Sequence, residues 1–173
     1  MTVSLELLLD SRTEAAVRHE WDSLESAGHS SLGAHRSPSN RPHITVAVDM
    51  PEGELDKIDW SLVSLPLEVT LGSTLLFGSG DRRVLARGVI ATPALLSVHA
   101  SIHAQLTRSD PHTRPGVWTP HVTLARRLRL ESLPDAVTHV GDPLDGEVIA
   151  VRSWNSETRV TRVHLGEPTV RSE

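Results

Sequence analysis

An α+β fold follows from three features of this 173-residue chain. The hexapeptide Pro42-His43-Ile44-Thr45-Val46-Ala47 recurs with little change as Pro120-His121-Val122-Thr123-Leu124-Ala125. Each copy alternates polar and aliphatic side chains, which is the period of a β-strand. Around both copies the elements run in one order, and strand patterns outnumber helical ones. The expected architecture is two pseudo-symmetric lobes, each an antiparallel sheet with helices on one face, enclosing a central cleft. Residues 1–173 read as a single bilobal domain. Its internal repeat divides at roughly 1–80 and 81–173, near Ser79-Gly80, and no Gly/Ser linker separates the halves.

The first half opens with a strand from Val3 to Leu9. Ser11-x-x-Glu14 fits a capping box, and Val17, Trp21 and Leu24 recur at helical spacing until Gly28 closes the helix. A polar loop over 29–41 leads into the first Pro-His strand. A short helix is expected from Glu54 to Trp60, then a hairpin with strands near Leu65–Leu71 and Thr74–Phe77. In the second half, Val84 to Ile90 reads as a strand. Thr92 is a good N-cap, with Pro93 at the first helical position. Leu95, Val98, Ile102 and Leu106 form the apolar stripe of that helix. The loop 108–116 enters the second Pro-His strand. Glu131–Val137 reads as a short helix that Pro134 weakens, with strands following near Glu147–Arg152 and Thr158–Leu165.

Composition narrows the function classes. A chain of this length can bury a sizeable core. No apolar run approaches the roughly 20 residues needed to span a bilayer, and the N-terminus lacks a basic leader, so a cytoplasmic soluble protein is expected. Without cysteine there is no disulfide or thiolate chemistry. The formal net charge of −5 provides no basic coat for a long duplex, so nucleic-acid contact should be local, at an end or a single nucleotide. Sixteen of the 17 basic residues are arginine, Lys57 being the exception, which reads as genome composition before function. Phe77 is the only phenylalanine and tyrosine is absent, so base stacking could draw only on Phe77 and four tryptophans.

Strand alternation puts His43 and Thr45 on one face and Ile44 and Val46 on the other; the second copy repeats this with His121 and Thr123. Imidazole both takes and gives protons near neutrality. A pair of imidazoles on opposite sides of a phosphorus supplies a general base and a general acid without a metal. Hydroxyls two residues on, facing the same way, are placed to donate to the phosphate oxygens. Pro42 and Pro120 hold the preceding residue extended and start both strands alike. A single His-x-Thr is ordinarily a half-buried strand residue. Two matched copies in matched contexts favour chemistry.

The paired motifs resemble the His-x-Thr-x repeats of the 2H phosphoesterase superfamily. The stretch from Trp118 to Arg126 is especially similar to the 2′-5′ RNA ligase (LigT-like) branch, and the likeness covers essentially the whole chain. It implies a bilobal fold and metal-independent opening of 2′,3′-cyclic phosphates at RNA ends or in small nucleotides, in some members with 2′-5′ ligase activity. It carries the acid–base roles to His43 and His121, phosphate donation to Thr45 and Thr123, and a basic position near the phosphate to Arg126. By strict alternation Arg126 lies on the face opposite His121, so it reaches the cleft only where the strand ends or bulges. Trp118 has core parity, which favours packing over base stacking. Phe77 is a second stacking candidate, and Arg41 is left as a rim residue.

The expected partner is an RNA 3′ end or a small cyclic nucleotide, with no cofactor, no metal at the site, no membrane and a monomeric state. The competing readings are a nucleotide- or RNA-end-binding module without turnover, and a histidine-rich metal protein. His99-x-x-x-His103 has metal-ligand spacing, but no acidic residue completes an HExxH pattern, so both read as structural. His29, His35 and His112 read as solvated loop residues.

Overall fold

The computed structural model describes residues 3–167. Its elements in order are β1 (Val3–Leu9), α1 (Ser11–Ser26), β2 (His43–Val48), β3 (Leu67–Phe77), β4 (Arg82–Val89), α2 (Pro93–His103), β5 (His121–Arg129), α3 (Leu133–Ala136), β6 (Leu144–Asn155) and β7 (Thr161–Gly166). All strand pairings are antiparallel, in the order β1-β2-β5-β4-β3-β6-β7, and β1 also pairs with β6. The sheet therefore folds back on itself. One face carries the core and the helices; the other is concave. This is the α+β fold that the strand and helix patterns predict.

β6 lets one sheet serve both sides of the concavity. Its first residues pair with β3, Leu144 lying opposite Leu71 and Val148 opposite Leu67. The remainder pairs with β1 on one edge and β7 on the other. β3, from the first half of the sequence, pairs with β4 and β6 of the second half. The halves thus share strands in one seven-stranded sheet, where an antiparallel sheet in each lobe was expected. Where a hairpin was expected over 65–77, β3 is one 11-residue strand. A register shift between Leu71 and Thr74 lets it change partners without turning; Gly72 and Ser73 mark a bulge, not a loop.

β1 is buried along its whole length because it is paired on both edges and lies under the helices. Its Leu5, Leu7 and Leu9 meet Val17, Trp21 and Leu24 of α1 and Leu95, Val98 and Ile102 of α2 in one continuous core. Burying each such side chain is worth about 1.5–3 kcal/mol. Leu106 lies past the end of α2 and only partly buries. The segments 52–57 and 60–62 form short 3-10 helices of two turns and one turn where one short helix was expected, since so short a stretch cannot offset the cost of nucleating an α-helix. After β5, α3 is one turn long with Pro134 in its first turn.

The cap of α1 differs from the expected capping box. Asp10, not Ser11, is the N-cap: its Oδ1 accepts from the amides of Arg12 at 2.9 Å and Thr13 at 3.0 Å. Oδ2 accepts from the Thr13 hydroxyl at 2.6 Å and the Glu147 amide at 2.8 Å, tying the helix start to β6. These bonds outweigh burial and hold the Asp10 carboxyl below the usual range. Glu14, the supposed box partner, turns instead to Arg18 and Arg41. At the other end Gly28, at φ +81°, supplies the left-handed residue that stops the helix. Asp10→Ala should cost about 1–2 kcal/mol in urea unfolding, while Ser11→Ala should stay within about 0.5 kcal/mol.

Candidate active site

β2 and β5 touch through a single bridge, Ile44 opposite Val122. In an antiparallel pair that register sets His43 opposite Thr123 and Thr45 opposite His121, all four on the face away from Ile44 and Val122. The two histidines are then diagonal neighbours, a relation that in strand geometry separates the two positions by about 7–8 Å. Burial follows the same alternation: the histidines and threonines are half-buried, while Ile44, Val46, Val122 and Leu124 are fully buried. Both hydroxyls lack a protein partner among the described residues.

The rings are held in one way in both copies. His43 Nδ1 lies 2.7 Å from the Arg41 carbonyl, and His121 Nδ1 lies 2.8 Å from the Thr119 carbonyl. A carbonyl only accepts, so each Nδ1 donates and each Nε2 is left to exchange protons. The prolines between ring and carbonyl keep that upstream residue extended. The seam is braced by a second matched pair. The Trp118 indole N–H donates to the Thr45 carbonyl at 2.9 Å, and that of Trp21 to the Thr123 carbonyl at 3.1 Å. With one bridge between β2 and β5, these indoles take up carbonyls that a longer ladder would have paired.

The two histidines differ in their surroundings. His121 is packed by Phe77, ring centroids 4.5 Å apart. Burial lowers its pKa, and the charges of His43 and Arg126 lower it further, against the bond to the Thr119 carbonyl. His43 has an anion beside it: Glu6 Oε1 lies 3.6 Å from its Nε2. Glu6 is buried on β1 opposite Thr45. It accepts from the Ser4 hydroxyl at 2.8 Å and from Arg152 Nε at 2.8 Å. Burial would raise the Glu6 carboxyl, but His43, Arg152 and the Ser4 bond outweigh it and hold it below its usual value.

Arg126 reaches this face because β5 bulges. Ala86 pairs with Thr123 but Leu85 pairs with Ala125, so one extra residue enters β5 and reverses its alternation. A second extra residue follows, with Arg127 at φ +61°. Gly88 sits opposite His121, and a Cβ there would come within 3.1 Å of Leu75 Cδ1. Its missing side chain leaves room for the Leu75 side chain of the neighbouring β3.

Of the residues singled out from sequence, His43, Thr45, His121, Thr123, Arg126 and Phe77 come together. Trp118 does not join them. Its ring stacks on His99 at 3.9 Å and 5° and is half-buried against the core, which is a packing role. His99 and His103 do not converge on an ion: their Nε2 atoms lie 2.8 Å from the Thr113 carbonyl and 3.0 Å from the Val46 carbonyl. Burial, with the charge of His103, pushes the His99 pKa down to about 4. His29 is not a solvated loop residue: its side chain is 10% exposed and its Nε2 lies 2.7 Å from Asp135. Sequence reasoning missed Glu6, Arg152 and Trp21. The signal for Glu6 was present, a lone carboxylate in an otherwise apolar run from Leu5 to Leu9.

Two His-x-Thr pairs thus lie side by side on one face of the antiparallel sheet, across the β2–β5 seam, as in a cleft built for a phosphate. The model of the 2′-5′ RNA ligase superfamily matches residues 13–167, and the chain belongs to that superfamily, a 2H phosphoesterase group. No curated protein matches it significantly in sequence. Among solved structures, TT0787 of Thermus thermophilus is similar with a TM-score of 0.60 and 20% identity, over 94% of each chain. Usb1 of Kluyveromyces marxianus, solved with uridine monophosphate, has a TM-score of 0.54 and 13% identity, over 92% of this chain and 96% of its own. Escherichia coli LigT, complexed with 3′-AMP, has 0.50 and 18%, over 94% and 92%. At these identities the likeness shows the fold. No helix among the described residues is long and apolar enough to cross a membrane.

Glu6→Ala would leave the Arg152 guanidinium buried without its anion. Equilibrium urea unfolding should show a loss of about 3–5 kcal/mol.

Proposed function

We propose that this protein opens 2′,3′-cyclic phosphates at RNA ends or in small nucleotides, leaving a 2′-phosphate, by acid–base exchange between His43 and His121. The observation that carries the reading is the single Ile44–Val122 bridge, which makes the two histidines diagonal neighbours on one face. Usb1 with uridine monophosphate and LigT with 3′-AMP are nucleotide complexes of the same fold, which agrees with a nucleotide-sized substrate.

The asymmetry around the rings supports a division of labour. His121, its pKa lowered by burial, His43 and Arg126, is neutral near pH 7 and takes the proton of the attacking water. The water oxygen bonds to phosphorus as the bond to the sugar 3′ oxygen breaks. His43, whose Nε2 lies 3.6 Å from Glu6 Oε1, is the acid in this reading and gives a proton to that departing oxygen. Thr45 and Thr123 donate to the non-bridging oxygens, and Arg126 offsets the charge that builds there. A 5′-hydroxyl in place of water would form a 2′-5′ linkage by the same exchange. Each proton-transfer role is worth roughly 10²–10⁴ in rate. The reaction involves no cofactor, and the cytoplasm, where RNA ends arise, is the proposed location.

Nucleoside 2′,3′-cyclic phosphates assayed with EDTA should be turned over by the wild type. His43→Ala and His121→Ala should each lose roughly 10²-fold or more in kcat. Turnover undiminished in either variant would overturn the roles; nucleotide binding with no turnover by the wild type would favour the binding-module reading.

The pH profile of kcat/KM should be a bell. Its acid limb marks the proton leaving His121 and should lie below the ordinary imidazole value of 6.5, because the folded site depresses that pKa. The alkaline limb marks the loss of the proton that the general acid delivers. Arg126→Ala removes one of the cations that depress His121, so its acid limb should move to higher pH. An unmoved limb would place Arg126 away from the base.

A further inference from the structure

Beside His43 lies a cavity of about 410 Å³ that the cyclic-phosphate chemistry does not use. Leu8 belongs to its lining, and the loop around Ser37 and Ser39, together with Arg152, Arg159 and Val163, completes most of the wall. It adjoins the site because Leu8 is the cross-strand partner of His43. Its volume falls in the range of small-molecule sites.

The cations around it are not equivalent. Arg41 is paired with Glu14 and Arg152 with Glu6, so both charges are already answered by carboxylates. Arg152 also donates to the Ser39 carbonyl at 2.9 Å, holding the 37–41 loop to the sheet. Arg159 has no hydrogen-bond or ion-pair partner for its side chain among the described residues. The β6–β7 turn presents it in a set position. The Asn155 side chain accepts from the amides of Glu157 at 2.9 Å and Thr158 at 3.2 Å, and the Arg159 amide donates to the Asn155 carbonyl at 2.9 Å.

We propose that this cavity is a second anion subsite, in which Arg159 holds a phosphate other than the one being opened. This rests on the function proposed above and narrows it to substrates with a second phosphate. That phosphate is either the 5′-phosphate of a mononucleotide or the preceding phosphodiester of an RNA end. β2, β1, β6 and β7 are successive neighbours on this side, about 4.8 Å apart. The cavity therefore begins one strand from His43 and runs away from it, as the rest of a nucleotide would.

Calorimetric titration with adenosine 2′-monophosphate and adenosine 2′,5′-bisphosphate isolates the subsite from turnover. The wild type should favour the bisphosphate by roughly 3- to 10-fold, the range for one charge-assisted contact at a partly exposed site. In Arg159→Asn that ratio should fall towards one. Asparagine tolerates the φ of +58° at this position, so the turn should keep its shape. Equal affinities in the wild type, or a ratio unchanged in the variant, would overturn the subsite. Turnover of adenosine 2′,3′-cyclic phosphate with a 5′-hydroxyl, with a 5′-phosphate, and as the 3′ residue of a dinucleotide identifies the source. The form with the higher kcat/KM, losing that advantage in Arg159→Asn, names the phosphate that is read. If none of the three is opened while the bisphosphate preference persists, the subsite stands and the proposed hydrolysis falls.

Discussion

One backbone contact holds the candidate site together. β2 and β5 meet only at Ile44 and Val122, and a slip of either strand by one residue would turn its His-x-Thr face into the core. Two features guard it. Ile44, Val46, Val122 and Leu124 are fully buried on the opposite face, so slippage would expose a row of aliphatic side chains. The indoles of Trp21 and Trp118 bond the carbonyls of Thr123 and Thr45, spanning the seam from both sides. Each imidazole is oriented through Nδ1 by its own upstream carbonyl, with Phe77 against the His121 ring and Glu6 beside His43.

The interior around this seam is unusually charged, and its charges come in pairs. Glu6 with Arg152, Glu14 with Arg41 and Glu20 with Arg87 are each largely removed from solvent. Such pairs add little net stability, but losing one partner is costly, so they bind segments together in one arrangement. Arg87 links β4 to α1 and to the Asp142 carbonyl before β6. Glu14 links α1 to the loop that delivers His43. Glu6 has the added consequence of facing His43 while Arg126 faces the other half of the pair, and two nearly identical hexapeptides acquire opposite electrostatic surroundings.

Much of the site could be read in the chain because it rests on a local rule. Alternation within each hexapeptide sets which side chains share a face, and proline sets how each strand begins. Phe77 was legible as a rare aromatic, and the bulge that Arg126 required is present in β5. The Asp10 cap was obscured because Ser11 and Glu14 make an equally good local pattern, and the choice depended on the Glu147 amide from β6. The long β3 was read as a hairpin because Gly72-Ser73 resembles a turn in isolation. Only its two different partners, β6 and β4, keep it extended.

What the sequence alone determined is periodic: the repeated strands, the two amphipathic helices, and the grouping of histidine with threonine. These depend on residues a few positions apart, where backbone geometry allows few alternatives. Tertiary structure decided everything requiring residues far apart in the chain to meet. It brought Glu6 and Arg152, 146 positions apart, into one buried pair beside His43, placed Trp118 in packing instead of the cleft, and exchanged strands between the halves. The physical reason is that a carboxylate or an indole has no fixed role by itself. Its role follows from which donor, acceptor or charge the fold brings within hydrogen-bonding distance, and sequence periodicity does not encode that distance.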